Sequence, residues 1–201
     1  MNERSAHLQY SWWKYCLVVM FSVILWMVVF DMLAAPEKNE KIRITFIGDD
    51  FSHEELEEEL YTVLPELTNQ KMKSISVESP ANRQSNDYYS VLATRVYGAD
   101  IIIIEESSMP DSVGETYFRP LSTEKLEKYV NVDEYYCENG IAYGILLCDG
   151  EGENHFSQFY SGDEPCYLFL THTTVNAGDV VDNGNADDDA ALQIIKYLLE
   201  E

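Results

Sequence analysis

The feature that most constrains this chain is the run Leu17–Phe30 (LVVMFSVILWMVVF), apolar at every position except Ser22. With Trp12, Trp13, Tyr15 and Cys16 before it and Met32–Ala35 after it, the stretch reaches roughly 20 residues, enough for a helix rising about 1.5 Å per residue to cross a bilayer. Trp12, Trp13 and Tyr15 stand where an interfacial aromatic belt lies, and Asp31 stands near the far end, within reach of the headgroups. The competing reading is a cleavable signal peptide with Leu33-Ala34-Ala35 as its small-residue site. Leu33 is bulky for that site and the apolar run is long and holds Trp, so a retained anchor is expected, with residues 12–35 meeting the membrane. No lipobox cysteine follows. Arg4 and Lys14 precede the run while Lys38, Lys41 and Arg43 follow it, so the positive-inside rule assigns no orientation.

Charge divides the chain in the same place. It carries 36 acidic and 13 basic side chains, a net charge of −23. In residues 1–35, Arg4 and Lys14 cancel Glu3 and Asp31, so the whole excess lies beyond Pro36. Such a surface repels nucleic-acid phosphates and anionic lipid headgroups, and neither is expected as a partner. Of the four cysteines, Cys16 lies in the apolar run, leaving Cys137, Cys148 and Cys166. An odd number permits at most one internal disulfide; Cys148 with Cys166 across two strands is one reading, buried free thiols the other.

After a polar link at 36–41, Ile42–Ile47 alternates as a strand, and Gly48-Asp49-Asp50 ends it. Ser52-His53-Glu54-Glu55 reads as a capping box opening a helix to about Leu64, with Pro65 at its end. Lys73–Glu78 is a second strand. A polar loop from Ser79 to Ser85 leads to a helix over Asp87–Tyr97, with Gly98 as its C-terminal cap. The four isoleucines of Asp100–Glu105 suit a strand covered on both faces. Residues 42–105 therefore spell β-α-β-α-β, and right-handed crossovers give a parallel strand order of 2-1-3. Further on, the pattern predicts a helix at Ser122–Val130 and strands at Val132–Cys137 and Ile141–Cys148 about an Asn139-Gly140 turn. An acidic loop at Asp149–Asn154, a strand at Cys166–Thr171 and a last helix at Ala190–Leu199, capped by Asp188 or Asp189, complete it. The expected class is α/β: an N-terminal transmembrane helix, then one three-layer lobe with added mixed strands and a C-terminal helix.

Ligands of open α/β sheets sit beyond the carboxyl ends of the strands. That places Gly48, Asp49 and Asp50 after the first strand beside Glu105 and Glu106 after the third as the candidate ligand-binding set. A loop and helix start rich in acids is the plainer explanation of the same residues. Tyrosines crowd the middle of the domain; Tyr143 joins the candidate set, while most are core-edge residues. Asp182–Asp189 fails the calcium-loop pattern, and His53-Glu54-Glu55 lacks the second histidine of a zinc-protease helix. His155 and His172 have no partner at ligand spacing. No nucleophile elbow, P-loop or dinucleotide fingerprint occurs, so no enzyme activity, metal site or cofactor is expected.

Four pieces of sequence carry a resemblance: Lys41–Gly48; Tyr88–Ala93 leading into Gly98-Ala99-Asp100-Ile101-Ile102-Ile103-Ile104; Phe118-Arg119-Pro120-Leu121; and Asn139-Gly140-Ile141-Ala142-Tyr143-Gly144-Ile145. Together they resemble the first lobe of bacterial extracellular solute-binding proteins of the type 2 periplasmic-binding fold, over about residues 41–147. The resemblance implies an extracytoplasmic domain at 36–201, a cytoplasmic stub within 1–35 and a single-pass anchor in the cell membrane. It also implies a small polar solute such as a sugar, or a transporter to assist. Leu146 stands where the family's proline lies, and a second lobe of similar size does not follow, so a single-lobe derivative is expected. The alternative is a structural or protein-interaction domain of the envelope with no small ligand.

Overall fold

A computed structural model of the chain describes residues 3–80, 88–150 and 154–200. It divides into two compact units, Met1–Pro36 and Glu37–Glu201. In the first, helix α1 runs Glu3–Ala34. Its segment Trp12–Ala34, 23 residues with a mean hydropathy of 2.5, is long and apolar enough to cross a membrane. The Ser22 hydroxyl donates to Val18 O at 2.8 Å, so the polar group in the apolar run is satisfied inside the helix, as hydrocarbon requires.

The second unit begins with the expected β-α-β-α-β: β1 Lys41–Ile47, α2 His53–Leu67, β2 Ser74–Glu78, α3 Tyr88–Arg95 and β3 Ile101–Glu105. It continues through α4 Gly114–Tyr117, α5 Thr123–Leu126, β4 Tyr135–Glu138, β5 Ile141–Cys148, β6 Cys166–Leu170 and α6 Ala190–Leu199. The six strands form one mixed sheet in the order β2-β1-β3-β6-β5-β4. β1 is parallel to both β2 and β3, giving the expected 2-1-3 order. β6 then enters antiparallel beside β3, and β5 and β4 follow, each antiparallel to its neighbour.

Every residue of β3 is buried, because helices and loops cover both faces of the sheet there. On one face Ile42, Ile44, Phe46, Ile101 and Ile103 pack with α2 and α6. On the other, Ile102, Ile104 and Phe169 pack with Leu92 of α3, with Val96 just beyond it and with Phe118. α2 meets the sheet through Leu56, Leu60 and Leu64, one stripe at helical spacing on an otherwise acidic helix.

Several local expectations are corrected. α2 starts at His53, but the Ser52 hydroxyl makes no capping bond. The Ser52 N–H donates to Phe159 O at 2.8 Å, so a distant carbonyl takes the place of the capping-box glutamate. Pro65 lies inside α2, since its fixed φ suits a helix and only its own N–H bond is lost. The helix closes three residues later at Thr68, after which Asn69 and Gln70 turn left-handed. Gly98 is not left-handed; its N–H returns to Arg95 O in an ordinary turn. The helix expected over 122–130 holds α-geometry only at α5 and then relaxes into hydrogen-bonded turns to Val130. The strand expected from Val132 is confined to β4, whereas Asn139 and Gly140, both at positive φ, form the expected tight turn. Asp189 occupies the N-cap position of α6, but its carboxylate accepts from the Gln193 side chain rather than from a helix N–H. Residues 81–87 and 151–153 of the expected loops, with Asp87 as a helix start, lie outside the described residues, as do the side chains of Tyr88 and Tyr89.

Leu60 is fully buried beneath the sheet. Leu60→Ala is expected to destabilise the unit by about 2–5 kcal/mol, read from the midpoint of urea unfolding; a loss below 1 kcal/mol would mean that α2 is not anchored through this stripe.

Candidate functional site

The carboxyl ends of β1 and β3 bring five of the expected residues together. Gly48 leaves β1 directly against the Glu105 carboxylate, and a Cβ there would collide with it. The Asp49 N–H donates to Glu105 Oε2 at 2.9 Å. Asp50 adopts a left-handed φ of 56°, and its carbonyl accepts from the Ser161 N–H at 3.0 Å and from the Ser161 hydroxyl at 3.2 Å. The Glu106 N–H donates to Pro165 O at 2.9 Å. Phe51, beyond the loop, bridges to Tyr160 and stacks on Phe46 with ring centroids 4.2 Å apart. The crevice where such sheets hold ligands is therefore filled by the chain's own segment from Phe156 to Pro165.

Glu105 is 6 % exposed. Burial holds its carboxyl above the ordinary range, and the charges of Asp49 and Glu164 add to that; bonds from the Asp49 amide and the Tyr160 hydroxyl pull the other way without cancelling it. It shares a row of the sheet with Cys166 of β6 and Cys148 of β5. Both thiols are free and buried, and burial pushes the Cys166 thiol up, which keeps it protonated and unreactive.

Tyr143 is not part of this group. It lies on the opposite face, packed on Gly114, where a Cβ would strike its ring. By strand register it sits level with Ile101, four residues or about 13 Å along the sheet from Glu105. Its phenol is raised by burial first, then by Glu115 and Glu138.

An open cleft of about 260 Å³ lies at the other end of the parallel strands. Alternation along β1 turns Lys41 and Arg43 outward on one face, and parallel register sets Ser74 and Ser76 of β2 beside them. Lys38, Tyr97, Asp100 and Thr173 complete the polar lining. Asp100 is a tie point: it accepts from the Arg43 N–H at 3.0 Å, from Asn176 Nδ2 at 3.3 Å and from the Thr174 hydroxyl. Burial nonetheless raises its carboxyl above the usual range. Asn176 Nδ2 also donates to Lys41 O at 3.0 Å. Arg43 Nε lies 3.8 Å from Glu78, whose other oxygen pairs with Arg95 at 2.6 Å. Among the described residues neither Lys38 nor Lys41 makes an ion pair.

A third cluster joins Glu59 of α2 to His155 and Tyr197, both bonded to its Oε1. Burial raises the Glu59 carboxyl, but bonds from Tyr197 and His155 more than offset it and leave it lowered, while the Tyr197 phenol is pushed up to about 12, mainly by burial. His155 Nδ1 faces Gln158 at 3.1 Å, so both ring nitrogens are engaged. The cluster fastens α6 and the 155–158 turn to α2. Its members are 96 and 138 residues apart, and no sequence spacing announces them. The cleft had a visible signal in Lys38, Lys41 and Arg43, but only strand register adds the serines. Among the described residues, no group of three or more His, Cys, Asp or Glu is placed to hold a metal ion. No protein family matches the chain, and no curated protein is significantly similar to it.

With its native pKa above the ordinary 4.5, Glu105 binds more protons in the folded than in the unfolded chain between those two values. Its contribution to stability therefore falls as pH rises through that window. Glu105→Gln keeps an acceptor for the Asp49 N–H and removes the titration. Urea unfolding from pH 4.5 to 7 is expected to show the parent losing more stability than the variant; parallel profiles would refute the assignment.

Proposed function

We propose that this chain is a single-pass, membrane-anchored binding module of the cell envelope, its acidic domain extracytoplasmic, which takes a small polar solute in the manner of the solute-binding proteins its sequence resembles. It binds rather than catalyses. The observation that carries this reading is the open cleft at the amino ends of β1 and β2, lined by charged and hydroxyl side chains. At about 260 Å³ it falls just below the usual range of ligand sites, which fits a solute of one sugar ring or less. The loop bearing Gly48, Asp49, Asp50, Glu105 and Glu106 then serves to close the sheet, with the solute at the opposite end. Filling of that crevice by the chain itself favours a second reading, an interaction domain for an envelope protein with no small ligand.

Thermal unfolding of the full chain in neutral lipid nanodiscs, screened against millimolar sugars, amino acids and small anions, separates the two. A solute at about 100 times its Kd stabilises by about 2.7 kcal/mol, a shift of several degrees; a flat screen would favour the interaction domain. Sidedness is read at Cys137, which is exposed while Cys148 and Cys166 are buried. A membrane-impermeant maleimide is expected to label it on intact cells, and labelling only after lysis would overturn the extracytoplasmic placement.

A further inference from the structure

We infer that the amino-end cleft is an oxyanion site, built for a phosphate-class group held by Lys38, Lys41 and Arg43 with the hydroxyls of Ser74 and Ser76. The inference rests on the binding-module reading and names its ligand class. Register comes first. Lys41 pairs with Ser74 and Arg43 with Ser76, so two cation–hydroxyl pairs lie on adjacent strands about 4.8 Å apart and face the same way. The two pairs stand two residues, about 6.6 Å, apart along the strands, a gap that the long Lys and Arg side chains close around one tetrahedral anion. The polar lining is also rich in donors. Asp100, the acid among the lining residues, is already engaged by the Arg43 N–H, Asn176 and Thr174.

Charge distribution is the second argument. The chain has only 13 basic side chains against 36 acidic ones, yet three of the 13 line this one cleft. In a domain so rich in carboxylates, Lys38 and Lys41 have no acidic partner among the described residues. Among the described residues Arg43 has one ion pair, a long 3.8 Å contact to Glu78, and its guanidinium passes 3.1 Å from where a Gly98 Cβ would stand. Gly98 thus gives the guanidinium room to lie across the cleft wall, with donors left for a ligand. At an ionic strength of 0.15 M, charges more than about 8 Å away are largely screened, so the local cations outweigh the distant acidic surface.

Phosphate chemistry has two sources here: a free phosphorylated solute, or the headgroup of an anionic lipid, since Lys38 follows the last residue of α1 by four positions. The test is calorimetric titration of the full chain with inorganic phosphate, in nanodiscs of phosphatidylcholine alone and of phosphatidylcholine with phosphatidylglycerol. Millimolar or tighter binding is expected in the neutral discs. Lys41→Gln and, separately, Ser76→Ala should weaken it at least five-fold, and glucose should not compete. Circular dichroism checks that both variants fold. A free-solute source leaves phosphate affinity equal in the two lipids, whereas a headgroup source lowers it at least ten-fold in the anionic discs. Phosphate binding untouched by either variant overturns the site. Binding of a neutral solute in place of phosphate overturns the oxyanion assignment and leaves the binding-module reading standing. Absence of binding by any solute overturns both.

Discussion

β3 is the member on which the domain depends. Its five residues, Ile101–Glu105, have no exposed face, and its two edges are paired in opposite senses, parallel to β1 and antiparallel to β6. A strand in that position joins the βαβ half of the domain to the hairpin half, so each layer packs against it. The face made by Ile101 and Ile103 receives α2 and α6, and the face made by Ile102 and Ile104 receives α3 and Phe118. Burial on this scale also explains why the strand can end in a glutamate. Glu105 continues the alternation of Ile101 and Ile103 into the covered face, and the Asp49 amide and Tyr160 hydroxyl satisfy it there.

That placement decides which end of the sheet is open. At the carboxyl end Glu105 needs donors, Gly48 must lack a side chain to let the carboxylate in, and the 156–165 segment comes down to supply Tyr160 and to cover the loop. The crevice that holds ligands in open α/β sheets is here part of the core's boundary. At the amino end, among the described residues, no equivalent segment covers β1 and β2 on the α3 side, where the cleft lies open. Outward alternation leaves Lys41, Arg43, Ser74 and Ser76 facing a cleft.

The parts of this arrangement that were legible in the sequence are those set by local periodicity. β5 and α6 fall where their patterns place them, because Asn139-Gly140 fixes one end of the hairpin and a continuous apolar stripe fixes the helix. The 2-1-3 order follows from right-handed crossovers once α2 and α3 lie on opposite faces of the sheet, as they do here. What was not legible depends on contacts between distant, irregular segments. Ser52 takes its partner from Phe159, Glu59 finds His155 and Tyr197, and the crevice is closed by residues with no periodicity to read. Tyr143 stands apart for a related reason: it has the strand parity of Ile145 and Leu147, which face the Glu105 side, yet its ring packs on Gly114 in the other core cluster, a departure from alternation that no periodicity announces.

The charge argument changes most when carried from sequence to structure. A net charge of −23 says that the surface as a whole repels anions, and over distances longer than the screening length that holds. Recognition, however, is decided within a few ångströms. A strand that alternates Lys41, Ile42, Arg43, Ile44 buries its isoleucines only by presenting its cations together on the opposite face. The fold thus gathers cations that the composition counts as scarce. Register sets Lys41 and Arg43 beside serines of β2, and the one carboxylate of that strand, Glu78, reaches Arg43 only at 3.8 Å, so most of that concentration is left unneutralised. The same alternation that anchors β1 in the core therefore creates the one feature that composition argued against.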